Sequence, residues 1–373
     1  MTPRTEWIAD HHQLRDAASA WRGCIALDTE FIRTDTYYPV PGLYQIAHQG
    51  TVYLLDPLSI EDWQPFVEVL LDTSVFKIMH ACQEDLELIH HHLGVVPQRI
   101  FDTQYANAFV SPDFSLSYAA LVQRLLAIDL PKHATRSNWL QRPLTNEQLQ
   151  YAMEDVIYLE QLFDHLREAL QTAGRDSWFD DDMQLRADYQ PNDPTQHYLN
   201  LKKAWQLGPQ QLAVLQGLCA WREETAQTRN IPRNRVVWDD HLFEFARIKQ
   251  LGESDVQRAL PKGIARRYAA PLVAAHEQGR LATPPGAIDR PLSAAQGAVV
   301  KDLREVARKQ STLLNFAPEL LARKRDVEAC VRHYLRYEQL TDHYRSWRHD
   351  LVGAQFAEIL DARLQHNGAA ASG

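Results

Sequence analysis

The chain has 373 residues and a net charge of −9, with 45% hydrophobic and 23% charged residues. This composition is typical of a globular protein of two or three domains, and no apolar run approaches the roughly 18 residues of a membrane-spanning helix. The polar N-terminus and four widely spaced cysteines predict a cytoplasmic protein without a signal peptide, a disulfide framework or a zinc ribbon.

The charge is distributed unevenly along the chain. Residues 1–206 contain 15 Lys and Arg against 29 Asp and Glu, whereas residues 207–373 contain 24 against 19. An acidic first half is compatible with bound cations, and a mildly basic second half is compatible with a polyanion as partner. Most charged residues simply solvate a surface, so the asymmetry favours these partners without establishing them.

The first 110 residues alternate predicted strands with predicted helices. Residues that favour β-structure are concentrated at 24–31, 43–49, 51–56 and 76–81. A helical pattern lies between the third and fourth of these stretches, and another follows the fourth and ends at Gly94. This alternation predicts a three-layer α/β domain.

The clearest helical pattern covers residues 145–173. Thr145 and Gln148 form a capping box at its start, and Gly174 follows its end. We expect a first domain at 1–190, a linker at 191–206 that is interrupted by prolines, and helical segments at 207–285 and 293–373 joined by a linker at 286–292. The two helical segments share length and apolar spacing, which predicts two copies of one helical bundle.

Carboxylates and one phenol occur where these elements could bring them together. Asp28 and Glu30 lie two residues apart on a predicted strand, so their side chains share one face. Asp85 is in the first turn of the helix after the fourth strand, and Tyr151 and Asp155 are four residues apart on the capped helix. We therefore expect four carboxylates and one phenol to converge at the sheet edge.

Hard divalent cations explain why acids would gather in one place. Mg²⁺ and Mn²⁺ prefer oxygen ligands, and two such ions about 3.5–4 Å apart can hold the attacking and leaving oxygens of a phosphodiester. Taken singly, each residue has a simpler interpretation: Asp85 as a helix cap, Tyr151 as a core residue, and Asp155 as a solvated helix residue. The order and context of all five residues are what favour a metal site.

Three stretches resemble the exonuclease motifs of the DEDD superfamily in its tyrosine-containing branch: LDTEF at 27–31, HACQEDLELI at 80–89 and YAMEDVIYL at 151–159. Residues 137–159 resemble the ribonuclease D family in particular. Residues 218–246 resemble its HRDC domain, and the region after 293 resembles a diverged second copy. The resemblance implies a ribonuclease H-like α/β exonuclease domain, with a mixed sheet flanked by helices, followed by two all-α HRDC-like bundles.

The same resemblance implies a 3′–5′ exoribonuclease that releases nucleoside 5′-monophosphates with two Mg²⁺ or Mn²⁺ ions. Asp28 would bridge both ions, Glu30 and Asp155 would serve the ion that activates water, and Asp85 would serve the other. Tyr151 would orient the attacking water. The implied partner is RNA, in particular tRNA precursors with single-stranded 3′ tails, and we expect a monomer.

Two other functions remain open on the residues alone. A DNA-directed 3′–5′ exonuclease would use the same acids, because only contacts to the 2′-hydroxyl separate RNA from DNA. A non-catalytic nucleic-acid-binding protein would keep the fold without the chemistry, and the complete set of five site residues argues against it.

Further residues are candidates for substrate contact. Thr29 and Phe31 lie beside the acids, Gln45 is on the neighbouring strand, and His80 precedes Asp85; each could equally be a packing residue. In the helical half, a turn in the stretch RNIPRNR is flanked by three arginines that suit contacts to phosphates: Arg229, Arg233 and Arg235. Asp102 is another acid near the site, which we interpret as a helix cap.

Overall fold

The structure is a computed structural model that describes residues 4–131 and 137–368. The described residues form a six-stranded sheet with the strand order β1-β4-β3-β2-β5-β6. The strands are β1 (Arg4–Ile8), β2 (Cys24–Ile32), β3 (Val40–His48), β4 (Thr51–Leu55), β5 (Phe76–Met79) and β6 (Ile100–Asp102).

The sheet is mixed, as the resemblance implied. β1 runs parallel to β4, β3 runs antiparallel to β4, and β2, β5 and β6 form parallel pairs. The four strands predicted from β-forming residues correspond to β2, β3, β4 and β5, whereas β1 was not predicted. β1 lies at the edge of the sheet, and most of its side chains are not buried, so its residues lack the apolar pattern of an inner strand.

Eight helices accompany this sheet: α1 (His11–Ala18), α2 (Gln64–Leu71), α3 (Gln83–Leu93), α4 (Thr103–Val110), α5 (Tyr118–Leu126), α6 (Asn146–Ile157), α7 (Leu159–Thr172) and α8 (Asp176–Ala187). Asp102 caps α4 by accepting hydrogen bonds from the backbone N–H groups of Gln104 and Tyr105, which confirms its interpretation as a cap. The capping box of Thr145 and Gln148 is present at the start of α6.

The helix predicted over 145–173 is two helices, which is a correction with an identifiable cause. In one continuous helix the N–H of Tyr158 would donate to the carbonyl of Glu154. Instead, the hydroxyl of Tyr118 donates to the Glu154 carbonyl at 3.0 Å and accepts from the Tyr158 N–H at 3.4 Å. A side chain inserted into the hydrogen-bond ladder therefore separates α6 from α7.

The chain folds into two compact units that are not simple consecutive blocks. One unit contains Met1–Phe31, Pro41–Tyr189 and Leu292–Gly373, and the other contains Ile32–Val40 and Gln190–Pro291. The sheet and α1–α8 thus share a unit with the C-terminal residues.

The unit that contains Gln190–Pro291 is helical. Short 3₁₀ segments at Pro194–Asn200 and Ala204–Gln206 precede α9 (Pro209–Thr228), α10 (Arg233–Val236), α11 (Asp239–Arg247), α12 (Glu253–Ala259) and α13 (Lys262–Leu281). α9 packs closely against α13, because a Cβ at Gly279 would lie only 2.7 Å from the Cα of Val214. Apolar residues of all five helices form one continuous core in this unit.

The C-terminal residues form α14 (Ala294–Leu314), α15 (Glu319–Ala322), α16 (Lys324–Tyr337) and α17 (Ala354–Gly368). They dock on the part of their own unit that contains the sheet. The Ala317 N–H donates to the Ala108 carbonyl at 2.8 Å, and the Trp347 ring stacks on Trp178 with centroids 4.7 Å apart. Arg348 forms a buried ion pair with Asp182.

In the ranges 4–131 and 137–368, we find no helix with both the length and the apolar character that a membrane crossing needs.

Candidate active site

β2 presents acids on one face and a hydroxyl on the other. Asp28, Glu30 and Asp155 each offer a carboxylate oxygen, and these oxygens lie within 4.8 Å of one another. Thr29, between the two strand acids, points to the opposite face and is buried. The alternation of the strand therefore directs Asp28 and Glu30 towards α6, the helix that carries Asp155.

Asp85 is positioned by α3 and by Thr29. It lies in the first turn of α3 and is only 8% exposed. The hydroxyl of Thr29 donates to Asp85 Oδ1 at 2.5 Å, which fixes the orientation of the carboxyl group. Asp85 is thereby held close enough to Asp28 to be the largest charge acting on the pKa of Asp28.

α6 carries the remaining two residues of the site one turn apart. Tyr151 forms a side-chain hydrogen bond with Asp155, and this bond contributes to a raised pKa of the phenol. The main causes of the raised pKa are burial and the negative charges of Asp155 and Glu30. Tyr151 therefore keeps its proton at neutral pH and can donate a hydrogen bond.

The acids are electrostatically strained in the protein alone. Burial raises the pKa of Asp28 well above its usual range, and the charges of Asp85, Asp155 and Glu30 raise it further. Burial, together with the charges of Asp155 and Asp85, raises the pKa of Glu30 to about 9. Burial also raises the pKa of Asp85 to about 7, although the hydrogen bond from Thr29 opposes this effect.

This cluster fits hard divalent cations. Carboxylate oxygens are the ligands that Mg²⁺ and Mn²⁺ prefer, and a cation would offset the mutual repulsion that, after burial, contributes to the raised pKa values of Asp28 and Glu30. The three acids that converge most closely are only partly exposed, so a bound ion would be shielded yet reachable from solvent. The convergence of acids that the sequence predicted is therefore present around Asp28, Glu30 and Asp155, with Asp85 adjoining it.

A close contact between two chain segments supports the site. A Cβ at Gly42 would lie 2.5 Å from the Cβ of Trp139 and 3.2 Å from the carbonyl oxygen of Glu30. The Trp139 ring in turn lies 6.1 Å from the ring of Tyr151. Gly42 was not singled out in the sequence, because the need for glycine arises from contacts between residues about a hundred positions apart.

Arg142 holds the same region together. Its guanidinium donates to the carbonyl of Gly42 at 2.7 Å and to both carboxylate oxygens of the buried Asp56, at 2.5 and 3.0 Å. The paired arginine lowers the pKa of Asp56, against the opposing effect of burial. The bidentate hydrogen bond from Arg142 to Asp56 links the segment before α6 to the end of β4.

Comparison with known proteins identifies the family. Residues 5–171 match the 3′–5′ exonuclease family, and residues 211–275 match the HRDC domain family. The chain is 38% identical to ribonuclease D of Pseudomonas paraeruginosa, over 96% of this chain and 98% of that protein. The chain belongs to the ribonuclease D family. Ribonuclease D of Serratia proteamaculans is 35% identical over 90% of this chain and 93% of its own length.

The fold agrees with the family assignment. The crystal structure of Escherichia coli RNase D, an exoribonuclease involved in structured RNA processing, matches with a TM-score of 0.85 and 30% identity, over 96% of this chain and 99% of that one. This member of the ribonuclease D family is therefore a 3′–5′ exoribonuclease, as the resemblance of the motifs implied.

Of the predicted substrate residues, Gln45 lies in the interior and His80 is partly buried. Gln45 has no exposed surface, and neither polar atom of its amide has a hydrogen-bond partner among the described residues. His80 uses both ring nitrogens on the protein, with Thr103 Oγ1 at 2.9 Å and the Leu116 carbonyl at 3.1 Å. Phe31 is partly exposed beside Glu30.

The three arginines of the helical unit all contact other residues of that unit. Arg229 donates to the hydroxyl of Tyr268 at 2.7 Å, Arg233 pairs with the buried Glu223 at 3.1 Å, and Arg235 pairs with Asp35. The side chains of Arg233 and Arg235 remain 42% and 55% exposed, so each can still face solvent.

Residues 32–40 are held by the same helical unit. Asn230 accepts hydrogen bonds from the backbone N–H groups of Tyr37 and Tyr38 at 3.0 and 3.1 Å. The Tyr37 hydroxyl donates to Glu223 at 3.1 Å, and the guanidinium of Arg233 lies over the Tyr37 ring. The sequence analysis did not predict these contacts, because the partners are almost 200 positions apart.

Proposed function

We propose that this member of the ribonuclease D family removes nucleotides one at a time from RNA 3′ ends by hydrolysis that depends on two divalent metal ions. The observation that carries the proposal is the cluster of Asp28, Glu30 and Asp155, with carboxylate oxygens within 4.8 Å, beside the oriented Asp85. The released products would be nucleoside 5′-monophosphates.

The four carboxylates would hold the two ions, which we expect to be Mg²⁺ or Mn²⁺. Asp28 would serve both ions, Glu30 and Asp155 would serve one, and Asp85 would serve the other. When bound, such ions lower the pKa of water and stabilise the charge on a leaving oxygen. The raised pKa values of Asp28 and Glu30 support this assignment, because cations would relieve the repulsion among the acids that adds to the effect of burial.

Tyr151 would orient the water molecule and would not act as a base. Its raised pKa keeps the phenol protonated across the neutral range, so it cannot accept a proton from water. The hydroxyl is donated to Asp155, so Tyr151 would orient the water through the phenol oxygen, as a hydrogen-bond acceptor, and by positioning that carboxylate. Thr29 would act through Asp85, because its hydroxyl is already donated to that carboxyl group.

The RNA substrates that we propose are tRNA precursors with single-stranded 3′ tails. The HRDC match at 211–275 and the basic balance of residues 207–373 support contacts to a folded polyanion. Phe31 and the backbone of Thr29 are our candidates for contact with the terminal nucleotide, and Arg233 and Arg235 for phosphate contact. Gln45 and His80 are better explained as supports behind the site, because one is fully buried and the other is bonded at both nitrogens.

Product analysis tests the proposal. A tRNA precursor with a 3′ tail and a DNA oligonucleotide of the same tail sequence would be incubated with Mg²⁺, with Mn²⁺, and with a chelator. We expect metal-dependent release of 5′-mononucleotides from the RNA. In sedimentation experiments, we expect the active protein to be a monomer. The Asp28→Asn variant should lose more than about a thousandfold in rate, since it removes a ligand of both ions.

The matched control is Asp164→Asn, which neutralises an exposed acid on α7. It should leave the rate unchanged. Faster cleavage of the DNA than of the RNA would show that DNA is the preferred substrate. Full activity of Asp28→Asn, or activity in the chelator, would refute the metal assignment.

A further inference from the structure

A tyrosine outside the five site residues holds the backbone that carries Asp155. Tyr118 is the first residue of α5, and its side chain is partly buried. Its hydroxyl donates to the Glu154 carbonyl at 3.0 Å and accepts from the Tyr158 N–H at 3.4 Å. The carbonyl that it holds belongs to the peptide group that joins Glu154 to Asp155.

This hydrogen bond fixes the peptide group next to a candidate metal ligand. A peptide group is planar, so the direction of the Glu154 carbonyl also determines the plane that contains the N–H and the Cα of Asp155. The carboxylate of Asp155 is attached to that Cα and lies in the cluster with Asp28 and Glu30. Because metal–ligand distances tolerate deviations of only about 0.2 Å, a small rotation of this peptide group would displace the ligand oxygen from a bound ion.

The same hydroxyl determines where α6 ends. In an uninterrupted helix, the Glu154 carbonyl would accept from the Tyr158 N–H, and Tyr118 bonds to both of these groups instead. α6 therefore ends at Ile157, two residues after Asp155, and α7 begins at Leu159. The backbone at Asp155 is thus oriented by a side chain of α5 and not by continuation of its own helix.

The electrostatics place the Tyr118 hydroxyl beside the acids and keep it protonated. Burial is the main cause that raises the pKa of Tyr118 well above its usual range, and the negative charges of Asp155 and Asp28 raise it further. The phenol therefore retains its proton at neutral pH, as donation to the Glu154 carbonyl requires.

The start of α5 is itself held by two side chains. The carbonyl of Leu116, two residues before Tyr118, accepts from His80 Nε2 at 3.1 Å and from Gln104 Nε2 at 3.1 Å. The His80 ring also contacts the Tyr118 ring edge-on, with centroids 5.6 Å apart. His80 directly follows β5, and Gln104 is in the first turn of α4, so both residues connect the position of Tyr118 to the sheet and the helix beside it.

We infer that Tyr118 is a positioning residue for the exonuclease reaction, whose hydroxyl holds the Glu154–Asp155 peptide group so that the Asp155 carboxylate lies where it can bind metal with Asp28 and Glu30. This inference rests on the proposed function, because it assigns Asp155 to a metal ion. Tyr118 lies outside the three motif stretches at 27–31, 80–89 and 151–159.

Tyr118→Phe tests the inference, because it removes the hydroxyl and keeps the ring. We expect the affinity for Mn²⁺, measured by calorimetric titration without RNA, to fall by about ten- to a hundredfold, and kcat to fall by a similar factor. The KM for a 3′-tailed RNA should stay within a few-fold of the wild type, since the hydroxyl bonds to the backbone of the protein.

The matched control is Tyr105→Phe, which removes another phenol hydroxyl of the same unit, one that donates to the buried Asp182 at 2.8 Å. We expect it to lower the Tm and to leave the Mn²⁺ affinity and kcat unchanged. A second variant, Gln104→Met, leaves Tyr118 intact and removes one of the two donors to the Leu116 carbonyl. It should lower the Mn²⁺ affinity by about two- to tenfold.

Circular dichroism of each variant shows whether it folds. Wild-type Mn²⁺ affinity and kcat in folded Tyr118→Phe, or losses no larger than those of Tyr105→Phe, would overturn the inference. If Tyr118→Phe did not fold, Gln104→Met would decide, and an unchanged Mn²⁺ affinity in that variant would overturn it.

Failure of the proposed function would be seen separately in the wild type. If the wild type bound no Mn²⁺, the metal assignment would be refuted, and the role of Tyr118 would be refuted with it. Normal Mn²⁺ binding by the wild type and weak binding by Tyr118→Phe would support the inference even if the product analysis showed DNA to be the preferred substrate, because the titration contains no nucleic acid.

Discussion

Thr29 Oγ1 donates a 2.5 Å hydrogen bond to Asp85 Oδ1, although the two residues lie 56 positions apart on different elements. The bond ties the strand that carries Asp28 and Glu30 to the helix that carries the fourth acid. It also opposes the burial that raises the pKa of Asp85 to about 7. The hydroxyl therefore stabilises the charged form of Asp85, which is the form that binds metal.

Substitution of the hydroxyl tests this relationship. Thr29→Val has nearly the same shape but cannot donate, so we expect about ten- to a hundredfold lower activity or metal affinity. Isothermal titration with Mn²⁺ and single-turnover cleavage would measure the two effects. Thr29→Ser retains the donor and should stay within a few-fold of the wild type; an equal loss in both variants would contradict the role of the hydrogen bond.

Removal of the Tyr151 hydroxyl should lower the rate but not abolish it. In Tyr151→Phe the acids remain in place, while the phenol oxygen that we propose to orient the water molecule is lost, together with its hydrogen bond to Asp155. We expect a reduction of about ten- to a hundredfold in kcat, with little change in metal affinity. The wild-type rate could instead rise with pH around a pKa near neutrality. If Tyr151→Phe lacked this rise, Tyr151 would be identified as a base.

Without metal, the protein should become less stable as the pH rises. Burial and neighbouring acids raise the pKa of Glu30 to about 9 and that of Asp85 to about 7, above the values of about 4 that unfolded chains have. A raised folded pKa means that the folded state binds the proton more tightly. The associated stability is present at low pH and is lost as the pH rises through about 7 and then 9.

Thermal unfolding in a chelator between pH 5 and 9 would measure this dependence. We expect the Tm to fall with pH more steeply than in Mg²⁺, and Asp28→Asn to raise the Tm of the metal-free protein, because it removes one of the repelling charges. Identical pH profiles with and without metal would show that the acids do not carry this electrostatic strain.

Gly42 should not tolerate a side chain. A methyl group there would meet the Cβ of Trp139 at 2.5 Å, and Trp139 is a buried residue of the segment that leads into α6. We expect Gly42→Ala to lower the free energy of unfolding by about 1–3 kcal/mol, as overpacking does, and to reduce activity through displacement of Tyr151. Gly263→Ala, where a Cβ would meet nothing within 4 Å, is the matched control and should retain both stability and activity.

Asn230 should be important for the order of residues 32–40. It adopts a left-handed backbone conformation with φ of 46° and accepts from two backbone N–H groups, those of Tyr37 and Tyr38. Asn230→Ala loses both acceptor bonds and a residue suited to this conformation, so we expect a loss of about 1–3 kcal/mol. Hydrogen exchange at Tyr37 and Tyr38 should accelerate in Asn230→Ala and much less in Asn230→Asp; unchanged protection in both would refute the assignment.

Local patterns in the sequence predicted the secondary-structure elements better than the contacts between distant residues. The alternation of strand and helix patterns located β2 to β5 correctly, and the DxE spacing placed Asp28 and Glu30 on one face. The break between α6 and α7 was not predictable in this way, because it comes from the hydroxyl of Tyr118, a side chain on another helix. No proline or glycine marks the position.

The candidate site shows the same difference between local patterns and contacts of distant residues. Its acids are recognisable by type and spacing, since each follows a local pattern. The bond from Thr29 to Asp85, the glycine at 42 and the contacts of Asn230 with residues 37 and 38 all depend on which segments meet in three dimensions. Sequence periodicity carries no information about such pairs, so they became visible only with the structure.

The docking of the C-terminal helices affects how truncated forms of the enzyme can be used. A chain that stops near residue 190 would leave the stacked face of Trp178 and the carbonyl of Ala108 in water, and the buried Asp182 without its arginine. A buried acid that loses its partner destabilises a protein strongly, and exposed aromatic rings promote aggregation. Loss of nuclease activity after such a cut would therefore reflect damage to the catalytic unit itself, and the contribution of the C-terminal helices to RNA binding has to be measured with point substitutions in the full chain.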